Sequence, residues 1–241
     1  MRKLKLSYSV IYEDIGQKDY KETWDYQADI FNRLVDSKKP GTRVGESVQN
    51  ILPGKLIFVE HPHVYTLGKS GSEKNLLLDL IQLKAKDASF YRIDRGGDVT
   101  YHGPGQIVGY PIFDLETIMI GLKEYIYRLE EAIIRTVNEF GLTASRLDGG
   151  TGVWFDPEVP GKARKICAIG VKASRYITMH GFAFNVNTDL TYFNNINPCG
   201  FTDKGVTSLQ KELGISQDFE SVKRKVKKNL QEVFDLNWIK E

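Results

Sequence analysis

The 241-residue chain is 41% hydrophobic and 27% charged, a balance that supports a buried core and excludes a disordered or fibrous chain. Its 33 Lys plus Arg against 31 Asp plus Glu leave a formal net charge of +2, which gives no global reason to expect nucleic acid or an anionic membrane as partner. The two cysteines, Cys167 and Cys199, are too few for a disulfide framework or a four-cysteine zinc site, and no apolar run reaches the roughly 18 residues of a membrane span.

In chain order, the basic start Met1-Arg2-Lys3 is followed by Lys5, Ser7 and Ser9, which interrupt any signal region before Glu13 and Asp14; the reading is a soluble, cytoplasmic protein. Residues 3–12 alternate as a first strand, with Leu4, Leu6, Tyr8 and Val10 on one face. Tyr20, Trp24, Ala28, Phe31 and Leu34 recur at helical steps and predict a helix over 17–36. The stretch 38–54, with two prolines and three glycines, predicts a loop. Strands are expected at 56–60 and 64–67, a short helical patch near 76–83, and strands at 90–93, 99–101 and 107–113. Leu122, Ile126, Leu129, Ile133, Val137 and Phe140 mark a helix over 122–140, closed by Gly141. Three further strands follow at 152–155, 166–171 and 177–186. Thr207 with Gln210 resembles a capping box for a short helix ending at Gly214, and Ser216 is the expected cap of a last helix. Interleaved helices and strands without strict alternation predict a mixed α+β fold, a mixed sheet flanked by helices. The expectation is a single catalytic domain over 1–241, with a small C-terminal lobe over 205–241 as the variant.

The densest chemistry lies in Arg95-Gly96-Gly97-Asp98-Val99-Thr100-Tyr101-His102-Gly103-Pro104-Gly105-Gln106. Glycines so concentrated are costly to order unless the backbone must approach something closely. A ligand-contacting loop and a structural hairpin are both open readings. Two nucleotide motifs fail here: Gln106 stands where a Walker pattern needs Lys, and Gly103-Pro-Gly105-Gln-Ile-Val-Gly109 is one residue too long for the dinucleotide fingerprint. Cys167 sits in an apolar strand and reads as a small core residue. Cys199, between Pro198 and Gly200, is turn chemistry, and a thiol there becomes a nucleophile if a nearby cation lowers its pKa; Lys162, Arg164, Lys165, His102 and His180 are candidates. His61-Pro62-His63 lacks a third ligand at motif spacing, so no metal is expected. The basic run Lys223-Arg224-Lys225 with Lys227 and Lys228 reads as a solvated helix face paired with Glu220 and Glu232, or as a docking patch for an acidic protein.

Five motifs stand in order: Glu60–Gly68, Arg95–Gln106 running into Val108–Pro111, Lys165–Val171, His180–Ala183 with Asn185–Asp189, and Pro198-Cys199-Gly200. Together they resemble the octanoyl-[acyl-carrier-protein]:protein N-octanoyltransferases, or lipoyl(octanoyl) transferases. The resemblance implies the fold of the biotin and lipoate protein ligase catalytic domain. It implies transfer of an octanoyl group from octanoyl-acyl carrier protein to a lysine of lipoyl domains, those of 2-oxoacid dehydrogenase complexes and of the glycine cleavage H protein. It assigns Cys199 as the acyl-thioester nucleophile and Lys165 as the group that lowers its pKa. Substrate contacts would come from Arg95, Gly96, Gly97, Asp98, Val99, Thr100, Tyr101 and His102, from Ala168, Ile169 and Gly170, and from Gly181, Phe182 and Ala183. Cys167 stands where the family usually has a smaller residue, which places a second thiol near the site. No cofactor is implied, and no nucleic acid or membrane. The alternative is an ATP-dependent lipoate-protein ligase of the same fold; a binding module without activity is opposed by the presence of Cys199 and Lys165.

Overall fold

Alternating side chains build the first strand, β1 (Tyr8–Gln17), in the computed structural model, which describes residues 7–39, 52–197 and 204–240. β1 continues past the expected end at 12 because its residues up to Gln17 pair with β2 (Gly54–Glu60). Leu4 and Leu6, like most of the loop expected over 38–54, lie outside the described residues. Helix α1 (Tyr20–Asp36) starts later than 17 because the Asp19 carboxylate accepts from the amides of Lys21 and Glu22 and so satisfies N–H groups that the first turn leaves open. After β3 (Val64–Leu67), the single helical patch expected near 76–83 is instead a 3₁₀ turn (Glu73–Asn75) and α2 (Leu80–Ala85). A reciprocal capping box between Asp79 and Gln82 fixes that later start.

β4 (Ser89–Arg92), β5 (Val99–His102) and β6 (Gln106–Ile112) lead to α3 (Leu122–Asn138). Then come β7 (Ser145–Leu147), β8 (Gly150–Phe155), β9 (Arg164–Ser174) and β10 (Ile177–Asn185). A 3₁₀ segment (Leu190–Asn195) precedes β11 (Gly205–Val206), α4 (Leu209–Leu213), α5 (Phe219–Phe234) and β12 (Leu236–Ile239). Two expected caps move. Ser208, not Thr207, caps α4, and the Thr207 hydroxyl donates to Glu212 instead. Asp218, not Ser216, caps α5, because its carboxylate reaches the amides of Glu220 and Ser221.

The main sheet runs β12-β1-β2-β6-β10-β9-β8-β7, with β11 added beside β9, and a small second sheet runs β4-β3-β5. Parallel pairs (β1 with β12 and with β2) and antiparallel pairs (β2–β6, β6–β10, β10–β9, β9–β8) coexist, so the sheet is mixed. The alternation of β2 sorts its side chains: Leu56 and Phe58 join Leu129, Ile133, Val226 and Leu230 under α3 and α5, while Ile57 and Val59 join Ile30, Phe31 and Leu34 under α1. The C-terminal chain belongs to the same sheet, through β12 at its edge and β11 alongside β9. Among the basic residues of α5, Lys223 is buried and reaches Asp14 and Glu220, at 2.8 and 3.0 Å. Lys225 bonds Glu139, Lys228 lies near Glu232, and Lys227 covers the Tyr12 ring. Much of the run is therefore engaged within the chain, and Lys223 does not belong to a solvated face.

Candidate active site

A cavity of about 1130 Å³ opens where the small sheet stands over β9 and β10; that exceeds the ~300–1,000 Å³ usual for one small ligand. Small residues facing each other in register make its floor: Gly170 opposite Gly181 and Ala168 opposite Ala183, with Val108 of β6 next to Ala183. The roof is the turn between β4 and β5. Its Gly96 N–H donates to the Val171 carbonyl at 2.9 Å, which ties roof to floor. A Cβ on Gly170 would lie 3.0 Å from both the Arg95 Cδ and the Gly96 oxygen, so the two layers touch.

Arg95 is pinned rather than mobile. Its buried guanidinium donates to the backbone and hydroxyl oxygens of Thr66, each at 2.9 Å, and to the Gly96 carbonyl at 3.0 Å. The buried Asp98 carboxylate accepts from the Val99 amide and from Asn75. Next to Arg95, Asp94 accepts from His180 Nε2 at 2.9 Å and from Lys172, and these donors hold its carboxyl well below the usual range. His180 itself has a left-handed φ of 62° inside β10, and burial lowers its pKa. The turn is thus clamped to the sheet at Gly96 and again through Asp94.

His102 lines the cavity in a defined tautomer. The Gln106 amide nitrogen is committed to the Tyr101 carbonyl and the Asn185 side-chain oxygen, so its oxygen accepts from His102 Nδ1–H at 2.8 Å. Burial and the neighbouring His61 push the His102 pKa down to about 3. Asn185 passes the network on to the Thr207 carbonyl. His61 donates from Nδ1 to the Lys18 carbonyl and accepts from the Tyr110 hydroxyl, with its pKa lowered to about 4 by burial. His63 stacks on Tyr192 with ring centroids 4.1 Å apart. The two imidazoles of the His61-Pro62-His63 segment therefore serve different contacts.

At the other end, Lys165 Nζ donates to the Thr151 carbonyl at 3.1 Å and lies 4.6 Å from the centre of the Trp154 ring. Val206 pairs with Lys165 in register. Asn197 and Lys204, the described residues on either side of the segment that holds Cys199, both line the cavity. Cys199 itself lies outside the described residues.

Of the residues singled out in the sequence, Arg95 to Thr100, His102, Lys165, Ala168 to Gly170 and Gly181 to Ala183 line this one cavity. Tyr101 does not: period-two alternation turns it into the core of the small sheet, where its hydroxyl bonds His63 Nδ1 at 2.7 Å. Nor does Cys167 place a second thiol at the site. It is fully buried with the α3-side core, its neighbours being Val153 and Phe184, and burial drives its pKa far up. Sequence reasoning missed Tyr20, whose ring stacks on His102, and the Gly149-Gly150-Thr151 tip of the β7–β8 hairpin. The glycine-rich run Gly149-Gly150-Thr151-Gly152 was the available signal for the latter.

A sequence model of the lipoyl protein ligase A/B catalytic domain matches residues 19–231. The chain belongs to that family. Among curated relatives, the octanoyltransferase of Parabacteroides distasonis is 55% identical over 92% of this chain and 97% of its own length. That of Flavobacterium psychrophilum is 54% identical over 95% and 98%. Family membership at this identity makes the chain an acyltransferase. Solved structures share the fold. The bipartite lipoate protein ligase of Thermoplasma acidophilum, described with its E2 lipoyl domain, superposes with a TM-score of 0.68 at 14% identity, covering 98% of this chain and 86% of that one. The biotin protein ligase of Aquifex aeolicus gives 0.51 at 12% identity, covering 94% and 70%. Among the described residues of this family member, no helix is long and apolar enough to cross a membrane, and no group of three His, Cys, Asp or Glu could hold a metal ion.

Proposed function

We propose that the chain takes an octanoyl group from octanoyl-acyl carrier protein onto Cys199 as a thioester and passes it to a lysine of lipoyl domains, in the cytoplasm and without nucleotide, metal or other cofactor. The observation that carries the reading is the convergence of Lys165 and both flanks of the Cys199 segment on one cavity floored by small residues, in a chain 55% identical to an octanoyltransferase. Two large protein substrates favour a covalent relay, because donor and acceptor need not then share the pocket. The Cys199 thiolate attacks the carrier thioester, and the tetrahedral oxyanion collapses with expulsion of the carrier thiolate, which takes a proton from the Lys165 ammonium. The acceptor amine then attacks the Cys199 thioester and gives its proton to Lys165 as the amide forms, restoring thiolate beside ammonium. The first exchange is nearly thermoneutral and the second runs downhill. Backbone N–H groups of the glycine turn and floor are the candidates for stabilising the oxyanion. Seven carbons beyond the carbonyl contribute about 5–6 kcal/mol of burial, at roughly 0.8 kcal/mol per methylene.

Incubation with octanoyl-carrier protein is expected to add one octanoyl mass that hydroxylamine removes. Cys199→Ala should abolish the adduct and Cys167→Ala should retain it; the reverse pattern overturns the assignment. Octanoylation of a lipoyl domain should proceed undiminished in EDTA without ATP. Activity only with free acid, ATP and magnesium would make the chain a lipoate-protein ligase instead.

A further inference from the structure

Glu130 is a carboxylate on α3 that the transfer chemistry leaves without a task, yet it is almost wholly buried. Burying a charge is costly unless its oxygens are satisfied. One oxygen, Oε2, accepts from Arg146 Nε at 3.1 Å; the guanidinium of Arg146 also bonds Glu131 and the Tyr127 carbonyl. The other, Oε1, accepts from the Gly152 N–H at 2.9 Å. That N–H belongs to the same planar peptide as the Thr151 carbonyl, and the Thr151 carbonyl receives Lys165 Nζ. In a trans peptide the N–H and C=O point in opposite directions, so a carboxylate gripping one end aims the other. The Thr151–Gly152 unit therefore stands between an anion and a cation.

Two features make this peptide depend on a grip. Gly152 has a φ of 124°, and a Cβ there would lie 2.4 Å from the Cys167 oxygen, so only glycine fits where the hairpin crosses β9. Glycine leaves the preceding peptide plane free to rotate. Rotation would turn an N–H toward the ammonium in place of a carbonyl. The Trp154 ring, itself held by a bond from Nε1 to the Gly150 carbonyl at 2.7 Å, also contacts Lys165.

We propose that Glu130 is a positioning residue for Lys165, acting through the Thr151–Gly152 peptide. The hydrogen bond at Gly152 polarises that peptide and strengthens its carbonyl as an acceptor for the ammonium. The role of Lys165 in transfer rests on the reading above; its positioning by Glu130 does not. The test follows the ¹³C-labelled Cε of Lys165 by NMR against pH, with the signal assigned by its loss in Lys165→Arg. In Glu130→Met, which removes the acceptor at similar volume, the midpoint should fall by about one pH unit as a stabilising partner of the charged form is lost. Glu130→Gln, which keeps an acceptor but not the charge, should fall part of the way. Arg146→Met should lower the melting temperature and leave the midpoint in place, which separates positioning from general support of the hairpin. An unshifted midpoint in whichever Glu130 variant folds overturns the proposal, as does an equal shift in Arg146→Met. A shifted midpoint combined with full acyl transfer by Lys165→Ala would uphold it and defeat the cysteine–lysine reading instead.

Discussion

On the α3/α5 face of the main sheet, Leu56, Phe58, Ile107 and Phe184 close against Leu129, Ile133, Val226 and Leu230 in one continuous apolar layer. On the opposite face α1 covers only part of the sheet, and there the cavity is walled by His102, Gln106, Arg95 and His180 and floored by glycine and alanine, while Leu122 and Ile126 of α3 and Phe182 of the apolar layer line its far end. The first face repeats one principle, removal of apolar surface from water. The second forgoes apolar area for buried polar groups that each require a named partner, and it contains a left-handed histidine inside a strand. The two layers differ because apolar packing needs no particular partner, whereas polar recognition does; α3 joins them, since its Glu130 reaches the Gly152 amide beside Lys165.

That contrast can be broken by substitution. The largest effect is expected on the sealed face: Leu129→Ala should cost about 2–5 kcal/mol of stability through the cavity it leaves. Denaturant unfolding measures that loss, and the transfer rate of the folded fraction should stay within about twofold of wild type. A collapse of activity in the folded fraction would show that the faces are not independent.

The cavity face should dominate the pH dependence. His61 and His102 have folded pKa values of about 4 and 3, against 6.5 as the ordinary value. From pH 6.5 down to about 4 the unfolded chain takes up protons that these buried imidazoles refuse. The unfolded state then binds more protons, so stability rises with pH through this window, by about 1.4 kcal/mol per pH unit for each histidine. Unfolding measured at about pH 5 and pH 6, above most carboxylate titration, should give a slope that His61→Gln reduces by one histidine's share. An unchanged slope would show that the His61 pKa is not depressed in the folded chain.

The smallest of the three effects sharpens the comparison. Gly170→Ala puts a methyl against the Arg95 side chain and the Gly96 carbonyl, and lifting the turn should lower kcat/KM for acyl transfer about tenfold. The melting temperature should barely move, because the sealed face is untouched. A loss of stability without loss of transfer would mean that the floor is structural only.

Much of this was written in the sequence. Periodic apolar side chains located α1, α3 and α5 and most strands of the main sheet, since periodicity is imposed locally by the helix and the pleat. Boundaries moved where a carboxylate competed with a hydroxyl, as Asp218 did with Ser216, because a cap is chosen by geometry among several adequate acceptors. The short strands β7, β11 and β12 were not legible, because they exist through their pairing with β8, β9 and β1 rather than through a local pattern.

The residue types of the site were legible as well: the glycine turn from 95 to 100 with His102, Lys165, and the small residues of β9 and β10, all of which reach one cavity. Which of two adjacent aromatic or histidine side chains faced it was not. Tyr101 turned inward and His102 outward because strand pairing set the register, and Cys167 was assigned to the sealed core by the same rule. Glu130 shows the limit most plainly. The helical pattern of 122–140 puts Glu130 beside the apolar stripe, four residues after Ile126 and three before Ile133, and Glu131 away from it, but it names no partner for either; only the packing of α3 against the β7–β8 hairpin brings one carboxylate to the Gly152 amide and leaves the other to Arg135 and Arg146. Local sequence sets which surfaces are apolar and which turns need glycine, while the pairing of distant groups across layers exists only once the layers have closed.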